Sequence, residues 1–485
     1  MIYDVIIIGA GVSGTAIARA LSRYQLKIAI LEKEEELAFG VSKSNSGIIH
    51  PGTQNPARSL KGKLCVQGNK LIRRIAKDLG VDFKEVGELI VAFTDEDLLQ
   101  LKKLKREGQA LGVPGLKIVH RPWLRKHEPN LSQEAIAALF APSAGIISPY
   151  RLVYDMAENA IKNGVEIYTQ SKVTQITHRK NLNDHEKSFF EILTPTTTFT
   201  TRYLVNAAGL FADEIAAMLG IDDFKITPRK GEEYILDKKK ERLAHHLLFP
   251  IPTKTSKGVL IIKTADGNPM IGPTAQQIQD KEDWSTTEEG LANVLKGAQR
   301  MIPVINAKDI IAYFAGSRPV AGDDFIIRHE DKVPGLITVA GIQSPGLTAA
   351  PAIALFVCTL LKTNGLSLTK KRIFYPHRKK TVHLFSTPFS KTKQLIKENS
   401  SYGDIVCRCE MVSAKEIHDA IARGAKTLDG IKFRTRAQAG RCHGGFCTTR
   451  IMKILSATLD KKLTDITKKG SGSEIVLGER THDHP

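Results

Sequence analysis

The chain opens on apolar positions: Val5, Ile6, Ile7 and Ile8 form an unbroken β-branched run, and GAGVSG then leads into small and apolar residues at helical spacing, VSGTAIARAL. Such a run without polar alternation marks a parallel strand buried on both faces, so a strand is predicted to Ile8, a turn at Gly9 and a helix from near Val12. Lys27 to Leu31 repeats the strand pattern and ends at Glu32. Leu71, Ile75 and Leu79 recur every fourth residue, which predicts a helix over Leu64 to Leu79. Phe83 to Phe93 alternates and reads as strands turning at Gly87, while Glu96 to Leu111 reads as a helix with a solvated charged face. A helix from Pro149 to Lys162 follows, then strands Val165 to Tyr168 and Val173 to Ile176 and a hairpin-like pair, Phe189 to Leu193 with Thr198 to Leu204. A buried strand Leu204 to Asn206 passes through Ala207, Ala208 and Gly209 into a helix from Asp213.

From Ile226 to Gly272 the pattern changes to short apolar runs broken by Pro and Gly, as in an antiparallel sheet. Thr287 to Met301 is helical, Ile310 to Phe314 is a strand entering AGSRPV, and Leu336 to Val339 is a strand entering AGIQSPGLTAAPAIALFV. The most apolar stretch, Leu336 to Leu361, contains Gln343, Pro345 and Pro351 and so reads as a buried turn and helix rather than a membrane span. The predicted fold is α/β: a Rossmann-like dinucleotide domain from 1–85, 145–225 and 310–375, and an inserted antiparallel β-sheet substrate domain from 86–144 and 226–309. A basic linker, 376–402, then leads to a small cysteine-bearing domain, 403–460, and a tail, 461–485, that is expected to fray.

An apolar content of 42% and a charged content of 25% are those of an ordinary globular protein. The chain enters its first strand without a signal-like segment, so an intracellular, cytoplasmic location is expected. Much of the net charge of +19 gathers between Lys362 and Lys397, where there is no Asp or Glu. That stretch is either a solvated linker or a docking surface for an acidic partner subunit or an anionic membrane face. Charge without a reading module speaks against nucleic acid.

The candidate chemistry starts at GxGxxG. Gly9 permits the bend, Gly11 lets a pyrophosphate approach, and Gly14 lets the helix lie against the strand. Glu32, about twenty residues on, can accept from a ribose hydroxyl. In GVSKSNSGIIHPG, the small residues Ser42, Asn45, Ser46 and Gly47 can pack against a flat ring, with His50 at the far edge. Ala208 and Gly209, and again Gly341, Gly346, Leu347 and Thr348, offer further close approaches, and the backbone at Val173 could face an adenine. Contacts from several separated segments favour FAD over NAD. Of the six cysteines, Cys65 and Cys358 sit in apolar helical sequence, whereas Cys407, Cys409, Cys442 and Cys447 cluster as two pairs. Four thiolates can hold zinc or an iron-sulfur cluster.

The cysteine spacing resembles the 2Fe-2S domain of bacterioferritin-associated ferredoxins. GAGVSG with Glu32, NSGIIHPG, VNAAGLFAD, AGSRP and GIQSPGLTAAPA resemble the FAD-dependent family of D-amino-acid oxidase, 2-hydroxyglutarate dehydrogenase and glycerol-3-phosphate dehydrogenase. With both parts present, the chain is similar to the large FAD subunits of anaerobic glycerol-3-phosphate dehydrogenases. That resemblance implies FAD, a 2Fe-2S cluster and a small phosphorylated or carboxylated alcohol as substrate. It also implies an electron-transfer partner subunit that brings the protein to the inner face of the membrane. It places His50 beside flavin and substrate hydroxyl, and Arg318 on the substrate anion. Lys257 and Arg229, and the loop residues Arg58, Lys61 and Lys63, are further anion candidates. Arg318 suits phosphate and carboxylate alike, so a 2-hydroxy acid or amino acid stays open as substrate. A module that only relays electrons would need NADH, and one dinucleotide fingerprint is found.

Overall fold

In the computed structural model, which describes residues 2–179, 188–253 and 257–478, the first apolar run is the strand Ile2–Ile8 inside an eight-stranded sheet. Its neighbours Ile28–Leu31 and Thr198–Asn206 are both parallel, and Ile8 stands level with Leu31 and Asn206. Val165–Tyr168 and Leu336–Ala340 extend the parallel order on either side. Val5, Ile6 and Ile7 are fully buried because both faces of the sheet are covered, which is why no polar residue interrupts the run. The parallel strands end along one edge, where the chain leaves at Gly9, Glu32, Ala207 and Gly341. Open α/β sheets bind ligands at that edge. Three details differ from the pattern reading. The strand expected at Val173 begins at Gln175, Thr198–Asn206 is one continuous strand, and a short turn of 3-10 helix, Gly209–Phe211, precedes the helix Ala212–Ala217.

A nine-stranded sheet collects strands from 88–141 and 227–320. In Glu88–Ala92 the side chains alternate between two cores, Leu89 and Val91 on one side and Ile90 and Ala92 on the other. The expected antiparallel order holds except where Leu247–Pro250 runs parallel to Glu88–Ala92. AGSRPV, expected to follow a strand, is itself strand: Ile310–Val320 pairs along Thr227–Leu236, with Arg318 opposite Arg229. This strand belongs with the second sheet and not with the parallel one to which 310–375 was assigned.

The helix Gly346–Thr363 is long and apolar enough by composition to cross a membrane, yet most of it is buried against the helices Val12–Leu21 and Leu60–Leu79. The approach to the second is close: a Cβ on Gly68 would lie 2.0 Å from the Thr348 carbonyl oxygen. Backbone cannot yield as a flexible side chain would. Gly68→Ala is therefore expected to cost about 1–3 kcal/mol, as overpacked cores do, read as a lower urea midpoint at unchanged slope.

The chain divides into two units, Met1–Lys33 with Ala38–Arg378 and Glu34–Leu37 with Lys379–Pro485. In the second unit the helices Ala414–Ala422, Leu428–Thr435 and Thr448–Leu459 enclose an apolar core around Ile417, Ile431, Ile451 and Leu455. Glu36 is buried in this unit and accepts from Arg434 at 2.7 Å. The expected linker 376–402 is structured instead: it carries the helix Phe389–Glu398, whose Leu395 packs with Leu384 and Tyr402. The tail is ordered as far as described, with Ile466 buried and a bridge between Thr467 and Glu474. Residues 479–485 lie outside the described residues.

Candidate functional site

The strand-end edge is built around Gly9, at φ +102°. A Cβ there would sit 2.6 Å from the Ala207 oxygen, and one on Gly14 would sit 1.9 Å from the Gly9 oxygen. The glycine turn and the VNAAG turn are thus in contact through backbone alone. Asn206 shapes the second turn, accepting from the Ala208 amide at 3.3 Å and donating to the Ala212 carbonyl at 2.7 Å. Gly209 has φ +60°, and a Cβ there would meet nothing within 4 Å. Glu32 is buried and accepts from the Ala10 amide at 2.7 Å, which fixes its carboxylate beside the turn. Ser42 Oγ accepts from the Val12 amide at 3.0 Å, so the SNSG loop folds back onto the first helix, beside Gly11. Neither Gly11 nor Pro345 caps its helix with a side chain. The Val12 amide is taken by Ser42 and the Gly346 amide by the Gln343 carbonyl, so it is the following first-turn amides of the two helices that can face an anion, with Gly341, Gly346 and Leu347 forming the approach to the second. Asn45 accepts from the Gly47 amide at 2.8 Å. Val173, in the loop before its strand, is buried in the same core as Leu31. This donor set fits a dinucleotide, with Glu32 able to hold a ribose and the glycine turn a pyrophosphate.

His50 ends the loop and is buried. Its amide donates to Thr348 Oγ1 at 2.9 Å, and its Nε2 lies 3.3 Å from Ser344 Oγ. Nδ1 lies 3.8 Å from Glu88 Oε2, an oxygen that is buried without a hydrogen-bond partner. The other oxygen of Glu88 accepts from Thr53 at 2.7 Å. A carboxylate on the Nδ1 side favours the tautomer protonated there and leaves the Nε2 lone pair to accept. Burial, reinforced by the Lys257 cation, pushes His50 down to about 4, so the imidazole is neutral at working pH. Lys257 donates to Ser344 Oγ at 3.3 Å. Burial pulls it down to about 8 against the opposing pull of Glu88.

Arg318 donates to the Thr274 carbonyl at 3.1 Å and fills the space left by Gly231, where a Cβ would lie 2.6 Å from its Nη2. Burial lowers its pKa, as does Arg229, while Glu233 raises it. Glu233 is buried, accepts from Ser46 Oγ at 3.3 Å and is pushed up to about 7 by desolvation. His50, Lys257, Arg318 and Arg229 thus fall within one electrostatic neighbourhood, and Lys61 acts on Lys257 within it. Arg58 and Lys63 are exposed. Pattern reasoning missed Glu88, Glu233 and Ser344. The signal for Glu88 was a charge heading the otherwise apolar ELIVA, and for Glu233 it was an acid pair within a strand, whose members must face opposite ways. Glu232, the other member, accepts from the amide and hydroxyl of Thr287, the residue that caps the helix Glu288–Met301.

In the second unit, Cys409 and Cys442 are 3.6 Å apart and Cys407 is hydrogen-bonded to Cys447. Among the described residues the four sulfurs form two pairs and not a closed cage. The hydrogen bond from Cys447, with the amides of Gln438 and Glu410, pulls Cys407 down to about 6. Burial raises Cys442, but the Gly444 amide, the Cys409 thiol and the Phe446 amide together outweigh it and the net shift is downward. Amides aimed at sulfur are what a thiolate-bound cluster needs. Met411, Gln438 and His443, all at positive φ, hold the loops in this form.

Residues 4–360 match the family model for FAD dependent oxidoreductases. The chain belongs to this family. FAD is therefore its cofactor, and residues 405–457 match the BFD-like [2Fe-2S] binding domain, which makes the cysteine centre a 2Fe-2S site. This FAD-dependent oxidoreductase is 40% identical over 480 residues to a glycerol 3-phosphate dehydrogenase of Caloramator mitchellensis, covering 98% of each chain. It is 30% identical over 389 residues to human mitochondrial L-2-hydroxyglutarate dehydrogenase, covering 71% of this chain and 82% of the other. The solved structure of dithionite-reduced L-α-glycerophosphate oxidase from Mycoplasma pneumoniae, with FAD bound, superposes with a TM-score of 0.73 at 33% identity. It covers 78% of this chain and 98% of that one.

Glu88→Gln keeps the shape beside His50 but removes the charge. It is expected to slow substrate reduction of the flavin by about tenfold with little change in substrate affinity, measured by anaerobic stopped flow.

Proposed function

We propose that the enzyme oxidises sn-glycerol 3-phosphate to dihydroxyacetone phosphate. The observation that carries the reading is a neutral, buried His50 facing Ser344, with Lys257 acting on it and Arg318 and Arg229 linked to it in turn through Lys257. A secondary alcohol bearing a dianion two atoms away matches that combination. His50 Nε2 takes the hydroxyl proton, and Glu88 holds the imidazole in the accepting tautomer. Arg318 presents a planar fork to the phosphate, and Lys257 adds a compact charge. Bound FAD supplies the two-electron acceptor for the hydride leaving the carbinol carbon, and it can release electrons singly to an iron-sulfur centre. The likeness to the Caloramator mitchellensis and Mycoplasma pneumoniae proteins supports this substrate. The 2Fe-2S domain supports onward electron transfer, and the acceptor in this reading is a partner subunit or a quinone at the inner face of the cell membrane.

A 2-hydroxy acid is the second reading, favoured by the likeness to L-2-hydroxyglutarate dehydrogenase. Anaerobic mixing with glycerol 3-phosphate, 2-hydroxyglutarate or proline separates them. Glycerol 3-phosphate is expected to bleach the flavin absorbance fully and the other two to leave it unchanged. Bleaching by an acid alone would end the proposal.

A further inference from the structure

The stretch expected to be a linker carries a feature that the oxidation reaction does not use. The helix Phe389–Glu398 is fastened to the second unit by Leu395, which packs with Leu384, Tyr402, Val382 and Ile405. Its outer side carries two of the chain's exposed large apolar residues. Phe389 is 84% exposed and Ile396 is 39% exposed, and in the preceding turn Phe385 is 55% exposed. Phe389 and Ile396 are two helical turns apart and so share one stripe. Lys393 and Lys397, both exposed, lie beside that stripe, whereas Lys391 is on the far side of the helix. No acid occurs from Lys362 to Lys397, and Glu398 is the first.

We propose that this helix and turn form a membrane-surface anchor that binds anionic phospholipid directly, with Phe385, Phe389 and Ile396 entering the headgroup boundary and the lysines facing lipid phosphates. An interfacial helix needs aromatic or aliphatic residues on one side and lysines beside them. Lysine stems can lie along the apolar surface while their ammonium groups reach the phosphates. Charge favours the same occupant: each lysine near an anionic leaflet raises partitioning roughly fivefold. Leu395 keeps the helix folded before binding, so little ordering is needed on contact. The proposal does not depend on which alcohol is oxidised.

The test uses the full-length holoenzyme and phosphatidylcholine vesicles with or without about one-third phosphatidylglycerol. The parent is expected to sediment with the anionic vesicles and to be released by high salt. The double variants Phe385→Ser, Phe389→Ser and Lys393→Gln, Lys397→Gln should each bind about tenfold more weakly, with flavin and cluster absorbance unchanged. In Phe389→Trp, the added tryptophan emission should move to the blue with anionic vesicles only. Failure of the parent to sediment would overturn the proposal. So would undiminished binding by the Ser variant, an emission that does not move, or binding to polyglutamate but not to vesicles, which would assign the surface to an acidic protein.

Discussion

His50→Asn is expected to slow flavin reduction by glycerol 3-phosphate by roughly 10²–10⁴-fold, the usual contribution of a positioned base. Asparagine can still accept a weak hydrogen bond but cannot hold the proton, so substrate affinity should change far less than the rate. Anaerobic stopped flow at several substrate concentrations separates the two, and equal rates in variant and parent would remove His50 from the reaction. The pH dependence gives a second check. A base held down to about 4 is neutral above that value and is lost only as pH falls through it, so the acid limb of kcat/KM in the parent should lie near 4. The basic limb belongs to a cation: Lys257, held down to about 8, carries its charge below that value and loses its attraction for phosphate as pH rises through it. A profile broad between these limits is expected, and Lys257→Met should remove the basic limb and move the acid one upward, because the cation helps to hold His50 down.

The second large effect is expected from Cys442→Ser. A serine oxygen is a poor ligand to iron beside three thiolates, so the visible absorbance of the 2Fe-2S site and its iron should be lost. Flavin reduction by substrate should proceed at the parental rate, because His50 and the cations lie in the other unit. Turnover with a one-electron acceptor should fall by at least about tenfold, since the flavin then has no cluster to discharge into. Parallel loss of flavin reduction would show that the variant had misfolded. Full turnover without the cluster would remove the cluster from the electron path.

Local sequence carried a good deal of this. GAGVSG, Glu32 and the apolar strands around them were legible because the turn, the helix start and the acid are fixed by near neighbours in the chain and by burial on both sheet faces. The four clustered cysteines were legible for a similar reason, since ligand spacing is a property of short loops. AGSRP marks Arg318 as a candidate, but its strand conformation is not evident locally, because the pairing that imposes it comes from Thr227–Leu236, some ninety residues earlier. The stretch 376–402 was misread because its helix depends on Leu395 finding Leu384 and Tyr402, a tertiary gain that outweighs weak local propensity.

By itself the sequence determined a dinucleotide fold, a thiolate centre and a short list of polar residues able to do redox chemistry, because strand burial and turn geometry are encoded within a few residues. Only the tertiary structure decided which of those residues act on one another. Glu88 reaches His50 from the start of a strand in the second sheet, Ser344 from the turn before the helix Gly346–Thr363, and Glu233 reaches Ser46 from the strand next to Arg318. The pKa changes that make His50 an available base and Lys257 a titrating cation come from burial and from charges contributed by distant segments. Neither exists until those segments have packed together.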